Sequence, residues 1–194
     1  MNHDGYSDNY IRGILSGVKT IAMVGASPLN IRPSYFAFTY LAERGYDMIP
    51  VNPSHVGKNL MGKPFVASLA DIGRPIDMVE IFRSSSHIMP VVDEALKLVP
   101  LPKVIWMQLG ARDEAAAVKA EAAGLKVVMN RCPKIEYGRL SSEISWMGIN
   151  SRTLTSKRPP MPTRGMRMSL HRSSVGGGQT LAADRAARDK ADSA

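Results

Sequence analysis

Apolar positions in this chain gather into short unbroken runs separated by polar, helix-prone stretches. Runs over Thr20–Val24, Asp47–Val51, Met78–Phe82, Val104–Met107 and Lys126–Met129 predict five strands, with a further short one over Pro64–Val66. They are nearly continuous in Val, Ile and Met instead of alternating with polar residues, the pattern of parallel strands covered on both faces. The intervening stretches predict helices over Tyr35–Arg44, Ile88–Leu98 and Asp113–Ala123, with Gly45 and Gly124 where helices end. Asp8–Leu15 predicts an extra N-terminal helix, and Ser68–Asp71 the start of one helical turn. Strands alternating with helices indicate βαβ units, hence an α/β protein with a three-layer, Rossmann-like, doubly wound parallel sheet.

The pattern stops near Asn150. Lys157-Arg158-Pro159-Pro160-Met161-Pro162 cannot continue regular structure, Gly176-Gly177-Gly178 is flexible, and Leu181–Lys190 is too short a helix to be stable alone. The expected organisation is one domain over 8–150 followed by a basic, largely disordered extension over 151–194. Charge follows that division. The chain carries +8 overall, but residues 1–150 hold 16 Lys/Arg against 14 Asp/Glu, and residues 151–194 hold 9 against 3. The basic excess therefore belongs to the extension and says little about the ligand of the domain. The extension lacks interleaved aromatics and a recognition module, so nucleic acid is not its expected partner.

A 44% hydrophobic content suffices for a core, and no run reaches the 18 apolar residues of a membrane span. The N-terminus, Met1-Asn2-His3-Asp4-Gly5, lacks the basic and apolar regions of a secretory signal. A single cysteine, Cys132, excludes an internal disulfide and fits a reducing cytoplasm. Four histidines and one cysteine show no metal-ligand spacing. Asp93-Glu94 and Asp113-Glu114 read as solvated helix charges, and Trp106 as core.

Ligands of open α/β sheets bind beyond the carboxyl ends of the strands, at the reversal of strand order. That rule selects Gly25–Ser27, Asn52-Pro53, Arg83-Ser84, Gln108-Leu109-Gly110 and Asn130-Arg131-Cys132. In the first of these, a β-prone run breaks at a glycine and small residues, and Pro33-Ser34 then opens a helix. Such a turn lets an anion approach the backbone and meet the first helical N–H groups. The loop departs from the dinucleotide fingerprint, because Gly25 is followed by Ala26, Ser27, Pro28, Leu29 and Asn30. The second strand ends in Val51-Asn52-Pro53 where an NAD site needs a carboxylate. Arg32, His55 and Lys58 nearby suit a ligand with extra phosphate; NADP satisfies the same electrostatics.

In order and spacing, Val24-Gly25-Ala26-Ser27, Arg32-Pro33-Ser34, Val51-Asn52-Pro53, Phe82-Arg83-Ser84, Trp106-Met107-Gln108-Leu109-Gly110 and Asn130-Arg131-Cys132 resemble the YccU-like CoA-binding-domain proteins. These are similar to the N-terminal domain of the succinyl-CoA synthetase α subunit, and the resemblance spans about residues 10–140. It implies a domain that binds coenzyme A (CoA) or an acyl-CoA at the C-terminal edge of the sheet. By the same resemblance Gly25, Ala26 and Ser27 meet phosphate, with Arg32, Pro33, Ser34 and Lys58 beside them. Val51, Asn52 and Pro53 border the adenosine, Phe82 and Arg83 flank the other side, and Gln108 and Gly110 lie near the mouth.

Each residue also has a plainer reading. Gly25 serves as a turn glycine, Ser27 as a local backbone cap, and Asn52-Pro53 as turn chemistry. Arg83 pairs at the surface with Glu80 or Glu94, and Gln108-Leu109-Gly110 only shapes the sheet edge. Cys132, beside Arg131 and Lys134, is either a nucleophile or a structural, ligand-adjacent thiol. The latter is favoured, since His55 and His87 fall in a loop and at a helix start; a disulfide with the thiol of CoA is a third reading. Three functions follow: a CoA binder without chemistry of its own, an enzyme (a ligase fragment or an NAD(P)-binding oxidoreductase), and a CoA-responsive regulatory module. A synthetase-type ligase needs a phosphohistidine domain, whereas only 44 residues follow Asn150, with His171 as their one histidine. The first function is the expected one.

Overall fold

The computed structural model describes residues 1–141. The extension over 151–194, including the stretch Leu181–Lys190, and the segment Ile144–Pro159 lie outside the described residues. In chain order the elements are α1 (Asp8–Gly17), β1 (Thr20–Val24), α2 (Pro33–Glu43), β2 (Asp47–Val51), β3 (Asn59–Leu60) and β4 (Lys63–Pro64). There follow β5 (Met78–Ile81), α3 (Ile88–Ala95), β6 (Val104–Met107), α4 (Glu114–Ala122), β7 (Lys126–Val128) and α5 (Pro133–Leu140). Single 3₁₀ turns occupy Pro53–His55, Ala70–Ile72 and Ser85–His87.

Five strands form one parallel sheet in the order β2-β1-β5-β6-β7, with β3 and β4 as a separate antiparallel hairpin. The α/β, doubly wound fold is therefore the observed one. Ala22, Val24, Val79, Ile81, Ile105 and Val127 pack on one face with residues of α3 and α4. Ile21, Met23, Met78, Trp106 and Val128 pack on the other with Ile11 and Ile14 of α1 and Phe38 and Leu41 of α2. Strands buried on both faces explain the unbroken apolar runs.

Three strands have the expected ends, and the rest differ for local reasons. Phe82 still donates its N–H to Val24 O at 2.8 Å, but β1 turns away at Gly25, whose N–H goes to Val51 O. Met129 leaves β7, its N–H bonding the Tyr6 hydroxyl at 2.7 Å. Instead of a strand over Pro64–Val66, Lys63–Pro64 pairs with Asn59–Leu60 and Val66 makes one parallel bridge to Val51. Helix α3 stops at Ala95, short of Leu98, where the Lys97 and Leu98 N–H groups turn to the tighter partners Glu94 O and Ala95 O at 3.1 and 3.2 Å. Helix α5 was not expected, although Pro133 at its first turn is a start signal.

Two carboxylates expected to be merely solvated have structural work. Asp113 caps α4 by accepting from Ala116 N–H at 3.0 Å. Glu94 accepts from the Leu69 and Ala70 N–H groups at 2.6 and 3.4 Å, pinning the short turn there. Gly45 and Gly124 follow α2 and α4 in left-handed conformation, as expected.

Candidate functional site

Strand order reverses between β1 and β5, so the loops leaving these two strands border the crevice of a doubly wound sheet. They touch. Gly25 has φ 89°, and a Cβ placed on it would lie 2.3 Å from Phe82 O. The glycine is thus required by the backbone of the neighbouring loop as well as by the turn. The same Cβ would stand 3.3 Å from Arg83 Nε, so the Arg83 side chain lies over the glycine loop. Arg83 is exposed and makes no ion pair among the described residues; neither Glu80 nor Glu94 holds it.

Ser27 is buried, and its hydroxyl accepts from Leu29 N–H at 3.2 Å, which realises its local-cap reading. The chain then turns over Leu29–Arg32 into α2, with Pro33 in the first turn. Arg32, the N-cap, is exposed and supplies no side-chain cap. The start of α2 thus presents a positive dipole end without a capping side chain. Ser34 is buried against the core.

At the end of β2, Asn52 is buried and used in both directions. Its Nδ2 donates to Ala26 O at 2.8 Å and its Oδ1 accepts from Ser54 N–H at 3.1 Å. That side chain ties the β2 exit to the β1 loop. Val51 faces the core and its carbonyl accepts from Gly25 N–H at 2.9 Å, while Pro53 and Lys58 are exposed. Lys58 begins the hairpin, its carbonyl accepting from Phe65 N–H at 3.0 Å. His55 Nδ1 is buried without a partner, and the ring meets Phe65 edge-on at 5.5 Å.

The β6 and β7 exits are tied together. Gly110 N–H bonds Asn130 Oδ1 at 2.8 Å, and Trp106 Nε1 donates to Arg131 O at 2.8 Å. Gln108 is buried; its Oε1 accepts from Leu109 N–H at 2.9 Å and its Nε2 donates to Glu80 Oε1 at 3.3 Å. Gln108 therefore shapes this edge, whatever else it meets.

Glu80 is the residue that sequence reasoning passed over. It is fully buried in β5, between Met23 and Trp106 in register, and is no surface partner of Arg83. Burial alone pushes its carboxyl up to about 8. Its Oε2 has no hydrogen-bond partner. One acid inside the apolar run Met78-Val79-Glu80-Ile81 was the available signal. Cys132, the N-cap residue of α5, is partly buried nearby. Burial, and next the charge of Glu80, push its thiol up, while the Ile135 and Lys134 N–H groups and the Gln108 side chain pull it back in part. Its structural, ligand-adjacent reading fits these surroundings better than that of a standing thiolate.

The structure thus brings Gly25, Ala26, Asn52, Phe82 and Arg83 together, while Ser27, Arg32, Pro33 and Ser34 follow along the chain into α2. Gln108 and Gly110 lie one strand further along the edge, and Lys58 on the hairpin beyond β2. Cavities of about 440 and 420 Å³ occur elsewhere. Residues preceding the strands line them (Val18, Lys19 and Tyr46 in one, Pro102, Lys103 and Leu125 in the other), at the opposite edge of the sheet. Among the described residues no helix is long and apolar enough to cross a membrane.

Comparisons with known proteins agree with this architecture. The chain is 35% identical over 127 residues to the uncharacterized protein YneT of Bacillus subtilis, covering 66% of this chain and 91% of YneT. A solved Thermus thermophilus protein, cell-free ID.343, is 38% identical with a TM-score of 0.66, over 70% of this chain and 99% of its own. A hypothetical protein from Pyrococcus horikoshii OT3 is 38% identical with a TM-score of 0.67, over 73% and 96%. The profile of the CoA binding domain matches residues 19–138, from the start of β1 to the last turn of α5, and the chain belongs to that family.

Proposed function

We propose that this chain binds coenzyme A, or an acyl-CoA, noncovalently along the C-terminal edge of its sheet, in the cytoplasm. One observation carries the reading: Arg83, exposed and without an ion-pair partner among the described residues, lies over the Gly25 loop, the loop that leads on to the start of α2. A guanidinium and a helix N-terminus converging on a glycine turn suit a diphosphate. Membership of the CoA-binding-domain family supports CoA as the diphosphate's owner.

In this proposal Gly25, Ala26, Ser27, Arg32, Pro33, Ser34 and Arg83 surround the diphosphate. The backbone of Val51, with Asn52, Pro53 and Lys58, borders the adenosine and its extra phosphate. Phe82, Gln108 and Gly110 follow the pantetheine arm toward β6. Asn52 spends both side-chain groups on Ala26 O and Ser54 N–H, so the β2 exit carries no carboxylate for a ribose diol of the NAD type. In this reading the chain acts as a binder.

Isothermal titration with CoA, acetyl-CoA, NADH and NADPH tests the reading. CoA or acetyl-CoA is expected to bind at least about tenfold more tightly than either nicotinamide, a difference of about 1.4 kcal/mol. Tight NADPH binding without CoA binding would overturn it.

A further inference from the structure

We propose that the β7 edge of the sheet is a strand-pairing surface for a second copy of this chain, and that the segment ahead of α1 is the latch that holds it shut. In the order β2-β1-β5-β6-β7 the two outer strands are β2 and β7. The β2 edge is paired by the chain itself, since Asn52 N–H donates to Val66 O and Val66 N–H to Pro50 O at 2.9 and 3.1 Å. Among the described residues no strand flanks the outer side of β7. Its register sets Lys126, Val127 and Val128 against Val104, Ile105 and Trp106, and Lys126 N–H donates to Lys103 O at 2.9 Å. The backbone groups of Lys126 and Val128 are thereby turned toward β6, and those of Val127 and Met129 toward the open side. β7 lies two strands from the β1–β5 crevice, so this surface and the CoA reading stand or fall separately.

Two phenols occupy that side in place of a strand. Tyr10 Oη donates to Val127 O at 3.2 Å, and Tyr6 Oη accepts from Met129 N–H at 2.7 Å. Their rings stack, with centroids 5.7 Å apart and planes 9° from parallel. Because the Tyr6 oxygen accepts from Met129, its own hydrogen goes to His3 Nδ1, 2.9 Å away. His3 is buried, and its Nε2 lies 3.4 Å from Glu121 Oε1 on α4. Asp4 pairs with Arg112 at 3.1 Å, and the Arg131 guanidinium stands 5.7 Å from the Tyr6 ring. Tyr10 is fixed within α1, whereas His3, Asp4 and Tyr6 precede the helix. The hold on Met129 can therefore be released without unfolding any element.

The groups so covered are self-complementary, which is why the partner is a second copy. About a two-fold axis at Val128, antiparallel pairing sets Val127 of each copy opposite Met129 of the other. The Met129 N–H now bonded to Tyr6 then donates to the second copy's Val127 O, and the Val127 O now bonded to Tyr10 accepts the second copy's Met129 N–H. Lys126 falls opposite Asn130 in this register, so no like charges face each other across the pair. An unpaired edge is a template for such an addition, and the two sheets would join into one. The latch blocks it by spending the same donor and acceptor on phenols.

Residue-resolved hydrogen exchange and sedimentation velocity on the full chain test both parts. Tyr6→Phe keeps the ring and its stack and removes only the oxygen. Met129 N–H is then expected to exchange at least about tenfold faster, while Val128 N–H, turned toward β6, keeps its rate. Unchanged Met129 exchange in Tyr6→Phe would overturn the latch. Tyr6→Ala/Tyr10→Ala uncovers the edge. As its concentration rises, that variant is expected to reach about twice the wild-type mass, with Met129 N–H regaining protection in the associated form. A variant that keeps the wild-type mass at every concentration shows that β7 is no pairing surface. Association that leaves Met129 N–H in fast exchange runs through another face and sinks the proposal equally.

Discussion

At the β1–β5 crevice the polar groups offered outward are cationic and exposed, Arg32 and Arg83 above all, beside a helix start without a side-chain cap. Further along, at the β6 and β7 exits, the same edge is inward-turned, with the buried Gln108 bonded to the buried Glu80 carboxyl and Cys132 partly buried at the start of α5. Both halves sit at the ends of parallel strands, and only their burial differs. Exposure keeps a guanidinium charged and ready for an anion, at a solvation cost near zero. Burial takes a carboxyl that belongs in water and holds its proton to about pH 8. On the CoA reading proposed above, the exposed half takes the charged end of the ligand and the buried half borders its neutral arm.

The comparison breaks most severely at Gly25. Replacing it with Ala puts a Cβ 2.3 Å from Phe82 O at a φ of 89°, so the two loops must separate. Strain at such a position and displacement of backbone together are expected to cost about 3 kcal/mol of stability. CoA affinity should fall with it, because Arg83 rides on the displaced loop. Urea denaturation measures the first effect and titration the second. A Gly25→Ala chain as stable as wild type would mean that the loops do not meet.

The neutral half is sharpened by pH. Glu80 has its folded value raised to about 8 from an ordinary 4.5. Its contribution is fully present below about pH 4.5, declines as the unfolded chain ionises while the folded chain keeps the proton, and is lost once pH passes about 8. Glu80→Gln removes this titration. Relative to wild type, that variant is expected to gain about 2 kcal/mol or more in denaturant stability between about pH 5 and about pH 8.5. A stability difference independent of pH would show Glu80 ionised throughout and remove the contrast between the two halves.

The same division explains what could be read from the chain before folding. Thr20–Val24, Asp47–Val51 and Val104–Met107 were legible because a strand buried on both faces is apolar along its run, here after the polar first residues Thr20 and Asp47. The glycine turn and Arg83 were legible because exposed cations and turns carry local chemistry. Glu80 was not: within Met78–Ile81 its meaning depends on Met23 and Trp106 beside it and Gln108 beyond, which no local pattern contains. Helix α5 was hidden for a related reason. Its inner residues include Glu136 and Gly138, and Glu136 is held there by Arg139 at 2.8 Å instead of by an apolar stripe.

The smallest expected effects lie within the cationic half and rank its members. On the CoA reading, Arg83→Ala removes a charged hydrogen bond to the diphosphate and is expected to weaken CoA binding by about 1.5–3 kcal/mol. Lys58 stands on an exposed hairpin, held only through its backbone, so its charge acts through water and is screened. Lys58→Ala should weaken binding less than about fivefold at low salt and leave no measurable difference near 0.5 M salt, where the Debye length is only about 4 Å. The Arg83 loss should persist there in large part, since a hydrogen bond at contact distance is poorly screened. Titrating both variants across salt decides the matter: if Lys58→Ala costs as much as Arg83→Ala at high salt, the hairpin closes onto the ligand, and the cationic half extends past β2.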